Sequence, residues 1–306
     1  MLDDIEAHAV SDVDLKKSEE IDPRIFDLYD EYCHTGMDRR TFLSRAVALG
    51  IVGGLAMAQS LLPRYAEAAV IKFTDPRIKA TYETYDSPGG TSGKMRGYLV
   101  KPQGDGPFPA VVVIHENRGL NPYIEDVARR VAVEGFLAFA PDGLFPVGGY
   151  PGNDEDGKVM QAALDKQKLF TDLLNGANFV KSHALSTGKL GATGFCFGGG
   201  VVNAFAVEMG GALSAGVPYY GRAAMTADVP RIKAPLMIQN AEDDPRINEA
   251  MPAYAEALKA NGKTFEMYTY PGTRHGFHNT STPRHNEEQA KIAWDRTIAF
   301  FKKHLA

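Results

Sequence analysis

One cysteine in a glycine-rich turn is the strongest candidate for chemistry in this sequence. Cys196 stands in a Gly-Phe-Cys-Phe-Gly-Gly-Gly run over residues 194–200, with an apolar run before it and an Ala- and Val-rich helical pattern after it. A strand, sharp turn and helix of this kind present a nucleophile, and Gly194 and Gly198 supply the small residues that so tight a turn needs. The positive end of the helix would favour a thiolate. The alternative is a buried structural cysteine.

Acidic residues and a histidine follow two later strands of the predicted sheet. Asp243 and Asp244 come after the strand predicted over residues 235–239, and His275 comes after the one over 264–270. In a parallel sheet, groups at the carboxyl ends of the strands meet in one cleft. His275 would accept the thiol proton and later activate water, while a carboxylate on its other ring nitrogen would fix its tautomer. The chain order is therefore nucleophile, acid and histidine, with either aspartate as the acid.

A third loop, after the strand predicted over residues 109–114, completes the candidate site. In this geometry the backbone N–H groups of Asn117 and Phe197 would stabilise an oxyanion. The same loop contains Glu116, which either belongs to the candidate site or is simply the salt-bridge partner of a nearby arginine. His115 and His278 are expected to be hydrogen-bonded loop histidines. No His, Cys and Asp grouping has metal-ligand spacing, and no Gly-rich dinucleotide motif follows a strand, so neither a metal nor another cofactor is expected.

The remaining patterns predict the elements that position these loops. Strands are predicted over residues 81–85, 95–100, 109–114, 136–140, 189–193, 213–219, 235–239 and 264–270, the first two as an antiparallel hairpin. Helices are predicted over 123–134, 159–183, 248–260 and 287–303, with a long loop over 141–157. This alternation predicts one α/β domain with a mostly parallel sheet and helices on both faces.

Composition excludes some partners. The chain has 306 residues, 44% of them hydrophobic, and a formal net charge of −5 with no basic run. A nucleic acid partner is therefore not expected. Cys33 and Cys196 are the two cysteines of the sequence, which is too few for a disulfide framework.

The first 68 residues predict an export signal. Residues 1–36 are acidic and polar, Arg39 and Arg40 precede Phe-Leu, and a glycine-containing apolar stretch covers 46–62. This pattern resembles a twin-arginine signal, and the Ala-Glu-Ala ending at Ala68 fits a cleavage site. We therefore predict an N-terminal extension with signal over 1–68 and a mature domain over 69–306. The implied partner is the twin-arginine export machinery and the implied location is the periplasm, without stable membrane insertion after cleavage.

Other interpretations of this segment stay open. Residues 46–62 could form an ordinary core helix, leaving the protein in the cytoplasm, or an uncleaved membrane anchor, although the stretch is shorter than the ~20 residues that usually span a bilayer. A twin-arginine motif normally lies near the N-terminus, which makes Met37 an alternative start.

The motifs together resemble the dienelactone hydrolases, also called carboxymethylenebutenolidases. The resemblance extends over residues 80–303 and rests on four stretches, residues 114–120, 194–200, 241–247 and 270–277. It implies an α/β-hydrolase fold and an ester- or lactone-opening reaction through a thioester acyl-enzyme. It favours Asp244 as the acid and matches Glu116 to a glutamate that contacts the resting thiol and takes part in forming the thiolate.

The sequence departs from the family pattern where the substrate carboxylate is bound. Family members use one arginine in the mid-chain loop and one shortly after the histidine. Here residues 141–157 contain no arginine, and Asn279 occupies the second position. Arg118, Arg246 and Arg274 are the candidates for supplying the positive charge. The rival to a hydrolase is a catalytically idle protein of the same fold that acts as a thiol sensor or small-ligand binder.

Overall fold

The computed structural model describes residues 21–35 and 37–306, and the chain divides into two compact units, residues 1–63 and 64–306. Most of the predicted acidic extension, residues 1–20, lies outside the described residues. The predicted boundary after residue 68 is a cleavage site and stays a prediction.

The described residues of the first unit form three helices, α1 (Pro23–His34), α2 (Arg39–Ala48) and α3 (Gly54–Ser60). Asp22 caps α1 and Asp38 caps α2, each through its side chain. The rings of Tyr32 and Phe42 stack with centroids 4.8 Å apart in the apolar core of this unit. The apolar stretch 46–62 is therefore divided between two helices, because positive-φ glycines interrupt it.

No helix in the described parts of the chain combines the length and the apolar character needed to cross a membrane.

An eight-stranded sheet forms the centre of the second unit. Its strands are β1 (Ile78–Ser87), β2 (Gly93–Pro102), β3 (Phe108–Ile114), β4 (Leu137–Pro141), β5 (Ser186–Phe195), β6 (Ala215–Tyr219), β7 (Leu236–Asp243) and β8 (Phe265–Arg274). The spatial order is β1-β2-β4-β3-β5-β6-β7-β8. β1 pairs antiparallel with β2, and β2 pairs antiparallel with β4. The other six strands, β3 to β8, are parallel to one another. The predicted hairpin and mostly parallel sheet are confirmed.

Helices cover both faces of this sheet. They are α4 (Tyr65–Ala68), α5 (Pro122–Val133), α6 (Asp154–Ala163), α7 (Lys166–Lys181), α8 (Phe197–Glu208), α9 (Pro245–Asn248), α10 (Met251–Ala260) and α11 (Glu287–Leu305). Alternate residues of β3 belong to two separate apolar clusters, one shared with α5 and α11 and the other with α7, α8 and α10. A strand buried on both faces needs such a continuous β-branched run, which explains the apolar sequence of β3.

One predicted helix is wrong in its extent. The single helix predicted over residues 159–183 is two helices, because Asp165 accepts a hydrogen bond from the Lys168 N–H and starts α7 anew after α6. The helix predicted over 248–260 corresponds to α10, which begins three residues later and ends at the same residue. The predicted loop over 141–157 contains a 3-10 turn and the first residues of α6.

Candidate active site

Five residues lie at the same edge of the sheet, each one or two residues after a strand end. The residues that immediately follow β5, β6, β7 and β8 are Cys196, Tyr220, Asp244 and His275, and Glu116 stands two residues after β3. These strands are neighbours and parallel, so their carboxyl ends open into one cleft. The sheet therefore brings together the cysteine, acid and histidine predicted from the sequence.

The turn at Cys196 has the tight geometry of a nucleophile elbow. Cys196 has φ 57° and ψ −113°, and its N–H donates to the Tyr219 carbonyl oxygen over 3.1 Å. A Cβ atom at Gly194 would lie 2.4 Å from the Gly198 carbonyl oxygen, and one at Gly198 would lie 2.3 Å from the Ile114 carbonyl oxygen. Larger residues at either position would clash with backbone. The structure therefore confirms that the turn needs glycine at positions 194 and 198 for steric reasons.

His275 is oriented by Asp244. Its Nδ1 lies 2.5 Å from Asp244 Oδ2, and the two residues are 4% and 3% exposed. A ring nitrogen of His275 lies within 4.8 Å of Cys196 Sγ. Asp243 instead pairs with Arg274 over 2.9 Å at the surface. The sequence left open which of the two aspartates is the acid, and Asp244 is the one whose carboxylate contacts His275.

The protonation of His275 is set by opposing effects. Burial lowers the pKa of His275, but the charge on Cys196 and the hydrogen bonds with Asp244 and Cys196 raise it, and the net pKa lies above its ordinary value. A raised pKa means that the imidazolium is stabilised. That is the property required of a base that takes a proton from a thiol.

Glu116 lies buried in the same cleft. It is 3% exposed, and its Oε2 accepts a hydrogen bond of 3.2 Å from the Asn279 side-chain amide. Ser281 fixes that amide by donating to Asn279 Oδ1 from both its N–H and its hydroxyl. Burial raises the pKa of Glu116, the Arg118 guanidinium lowers it, and the negative charge on Cys196 raises it again. Asn279, at the position of a family arginine, therefore holds Glu116 in place.

Two histidines near the site are bonded within the fold. His115 Nδ1 lies 2.6 Å from the Glu116 carbonyl oxygen, and its Nε2 accepts from the Gly143 N–H over 3.2 Å. His278 Nδ1 lies 2.7 Å from the Tyr123 hydroxyl. Burial lowers the pKa of both histidines. These contacts agree with the hydrogen-bonded loop role expected for both.

The predicted oxyanion groups belong to two neighbouring segments at the elbow. Phe197 is the first residue of α8, so its backbone N–H has no partner within the helix. Asn117 follows Glu116 in the loop after β3, and its side chain is partly exposed. Ile114 of β3 pairs in register with Gly194 of β5, which places the loop beside the elbow.

The three arginines predicted to contact substrate have different surroundings. Arg118 is buried, and its Nη1 pairs with Asp154 Oδ2 over 2.6 Å. Arg274 pairs with Asp243. Arg246 is exposed, and its Nη2 lies 3.3 Å from His275 Nδ1. The structure thus places Arg246 beside His275 and pairs Arg118 with Asp154.

Sequence reasoning missed Tyr220 and Arg284. Tyr220 is fully buried, with its ring centroid 4.9 Å from that of His275. Arg284 is also buried, and its Nη2 would lie 2.9 Å from a Cβ atom at Gly276. The position of Tyr220 directly after a parallel strand was a usable signal, whereas no local pattern marks Arg284.

The fold is that of an α/β hydrolase, with Cys196 at the turn between β5 and α8. The sequence model of the dienelactone hydrolase family matches residues 95–305, and a second model, YqhI-like, matches residues 14–50. The chain belongs to the dienelactone hydrolase family and is a hydrolase.

Individual relatives agree with this membership. A chain of Escherichia coli named as a hydrolase fragment, YghX, is 62% identical over 112 residues, which are 36% of this chain and 95% of that one. A chain of Aquifex aeolicus named as a carboxymethylenebutenolidase is 33% identical, covering 69% of this chain and 94% of its own. The crystal structure of a dienelactone hydrolase from Klebsiella pneumoniae matches with a TM-score of 0.60 at 26% identity, covering 73% of this chain and 99% of that one.

Proposed function

We propose that this protein hydrolyses small esters or lactones through a thioester on Cys196. The single observation that supports this most is the set formed by a cysteine at a strained elbow, a histidine ring nitrogen within 4.8 Å of its sulfur, and Asp244 at 2.5 Å from the other side of that ring. The relatives named as carboxymethylenebutenolidases favour a lactone as substrate.

The residues divide the reaction between them. The Cys196 S–H bond breaks, its proton moves to Nε2 of His275, and the sulfur attacks the substrate carbonyl carbon. The negative charge on the carbonyl oxygen is stabilised by the N–H groups of Phe197 and Asn117. When the carbon–oxygen bond breaks, His275 returns the proton to the leaving oxygen. In a lactone that oxygen stays attached to the acyl chain.

Hydrolysis of the thioester uses the same groups in a second round. His275 takes a proton from water, whose oxygen attacks the thioester carbonyl carbon. The carbon–sulfur bond breaks, the proton returns to sulfur, and the carboxylic acid leaves. Throughout, Asp244 accepts the hydrogen bond from Nδ1 and stabilises the imidazolium. Arg246, exposed beside His275, is the arginine that we propose to attract anionic substrates.

A panel of uncharged and carboxylate-bearing esters and lactones tests the proposed activity. We expect turnover of at least one class, many cycles per enzyme molecule. Binding or a single stoichiometric reaction without turnover across the whole panel would favour a thiol sensor or ligand binder instead.

Glu116 is proposed to keep the resting thiol neutral. Its buried carboxylate lies where its charge interacts with that of Cys196, and two adjacent negative charges disfavour each other. We predict that Glu116→Gln increases the rate at which iodoacetamide alkylates Cys196 at neutral pH and decreases lactone turnover. Cys33→Ala, in which Cys196 is the remaining cysteine, provides the background for this measurement. An unchanged or slower alkylation would show that Glu116 does not hold the thiol protonated.

The export proposal rests on the arginine pair and the apolar segment behind it. We propose that the twin-arginine machinery carries the protein to the periplasm and that the signal is removed after Ala68. We predict that replacing Arg39 and Arg40 together with lysine retains the precursor in the cytoplasm. Equal periplasmic yields of the wild type and the double variant would contradict this, and an exported N-terminus at Ala69 would support the cleavage site.

A further inference from the structure

Two residues at the carboxyl ends of neighbouring strands each have a strained backbone conformation. In the described part of the chain, Cys196 at φ 57° and Tyr220 at φ 35° are the two residues other than glycine with positive φ. Phe195 of β5 pairs in register with Tyr219 of β6, so the two strained residues follow paired positions on neighbouring strands. Strain of this kind persists at functional sites, where the surroundings hold it in place.

The backbone around Tyr220 packs closely against the turn that contains Cys196. The Tyr220 N–H donates to the Gln239 carbonyl oxygen over 2.7 Å. A Cβ atom at Gly221 would lie 2.2 Å from the Gly199 carbonyl carbon. Glycine would adopt the backbone of residue 220 without strain, so a tyrosine there must contribute through its side chain.

The hydroxyl of that side chain is unusual. It is buried, and it completes no hydrogen bond of normal geometry with the described residues. Buried hydroxyls are nearly always satisfied, because an unpaired one destabilises the folded state. The Tyr220 ring centroid lies 4.9 Å from that of His275, and the charges that affect the ionisation of the hydroxyl, besides that of Tyr123, are those of Glu116, Cys196 and Arg284. The hydroxyl therefore lies among the charges of the proposed active site.

We propose that Tyr220 is a positioning residue whose hydroxyl stabilises the additional negative charge on the Cys196 and Glu116 pair when the thiol loses its proton. This inference rests on the proposed function. As the S–H bond breaks and the proton moves to His275 Nε2, a thiolate forms beside a carboxylate. A donor that rotates toward the pair at that moment lowers the free energy of the charged state.

Three of the other groups near the pair are already engaged in the resting structure. Arg118 pairs with Asp154, and the Tyr123 hydroxyl lies in hydrogen-bonding distance of His278. Asn279 donates to Glu116 before and after the proton moves. Tyr220 is distinguished from them because its hydroxyl gains a partner when the second charge appears.

The Tyr220→Phe variant tests the proposal, because it removes the hydroxyl and keeps the ring. We expect kcat and the rate of Cys196 alkylation at neutral pH each to fall about tenfold or more, the range for a hydrogen bond to a charged group, with KM changed less than about twofold. The melting temperature should stay the same or rise. Tyr254→Phe is the matched control, since its hydroxyl donates to Asn203 Oδ1 over 3.1 Å. That variant should lower the melting temperature and leave alkylation unchanged.

A double-mutant cycle with Glu116→Gln separates this role from a structural one. If the hydroxyl offsets the repulsion between two charges, Tyr220→Phe should slow alkylation far less in the Glu116→Gln background than in the wild type. Equal effects in both backgrounds, a lower melting temperature or a variant that fails to fold would each overturn the proposal. Because alkylation needs no turnover, this cycle stays informative if the ester and lactone panel fails, so the two failures are distinguishable.

Discussion

Asp244→Asn is expected to lower kcat by a factor on the order of 10⁴, the loss found when the acid of such a triad becomes an amide. The carboxylate oxygen lies 2.5 Å from His275 Nδ1, so it fixes a hydrogen on Nδ1 and leaves Nε2 to accept the thiol proton. An asparagine amide directed at Nδ1 would donate instead and favour the opposite tautomer. Steady-state kinetics on the best substrate of the panel would measure the loss.

Asp243→Asn is the matched control for this prediction. Asp243 is adjacent in sequence, but its side chain is 54% exposed and pairs with Arg274 at the surface. Exposed ion pairs of this kind contribute little, so the variant should retain most of its activity. If Asp243→Asn were the more damaging change, Asp244 would not be the acid.

Cys196→Ala is expected to abolish turnover, with a loss on the order of 10⁶ in kcat if the cysteine acts as nucleophiles of hydrolytic triads do. Cys196 is the residue at the turn directly before α8. The alanine variant keeps the backbone and lacks the sulfur. Circular dichroism and melting temperature would verify that it folds.

Cys33→Ala provides the control for the loss of a cysteine as such. Cys33 is buried in the apolar core of the first unit. In the full-length chain, the Cys33→Ala variant should lose a little stability and keep its turnover. If Cys196→Ala turned over substrate at a rate near that of Cys33→Ala, the proposed cysteine mechanism would be contradicted.

Much of the sheet could be predicted from the sequence because its signals are local. Buried strands such as β3 are continuous β-branched runs, and glycines around Cys196 mark a turn that tolerates no larger residue. The helix break could not be found in the same way. Asp165 ends one helix and starts another by a single side-chain cap, which interrupts the apolar period too little to be noticed.

The site could be predicted in its chemistry but not in its contacts. The order of Cys196, aspartate and His275 along the chain was visible, yet the choice of Asp244 over Asp243 depends on which side chain points inward. The pairing of Arg118 with Asp154 joins elements 36 residues apart, and the strain at Tyr220 exists only in the folded backbone. Such features arise from tertiary packing, which single-sequence patterns do not encode.

Time-resolved mass spectrometry of the intact protein tests the central claim most directly. Mixed with an activated ester, the wild type should gain the mass of the acyl group within the first turnovers, and peptide mapping should place it on Cys196. The adduct should then disappear as substrate is exhausted, and Asp244→Asn should form and lose it much more slowly. Turnover without any acyl mass on Cys196, or an adduct on that residue that never hydrolyses, would contradict the thioester mechanism.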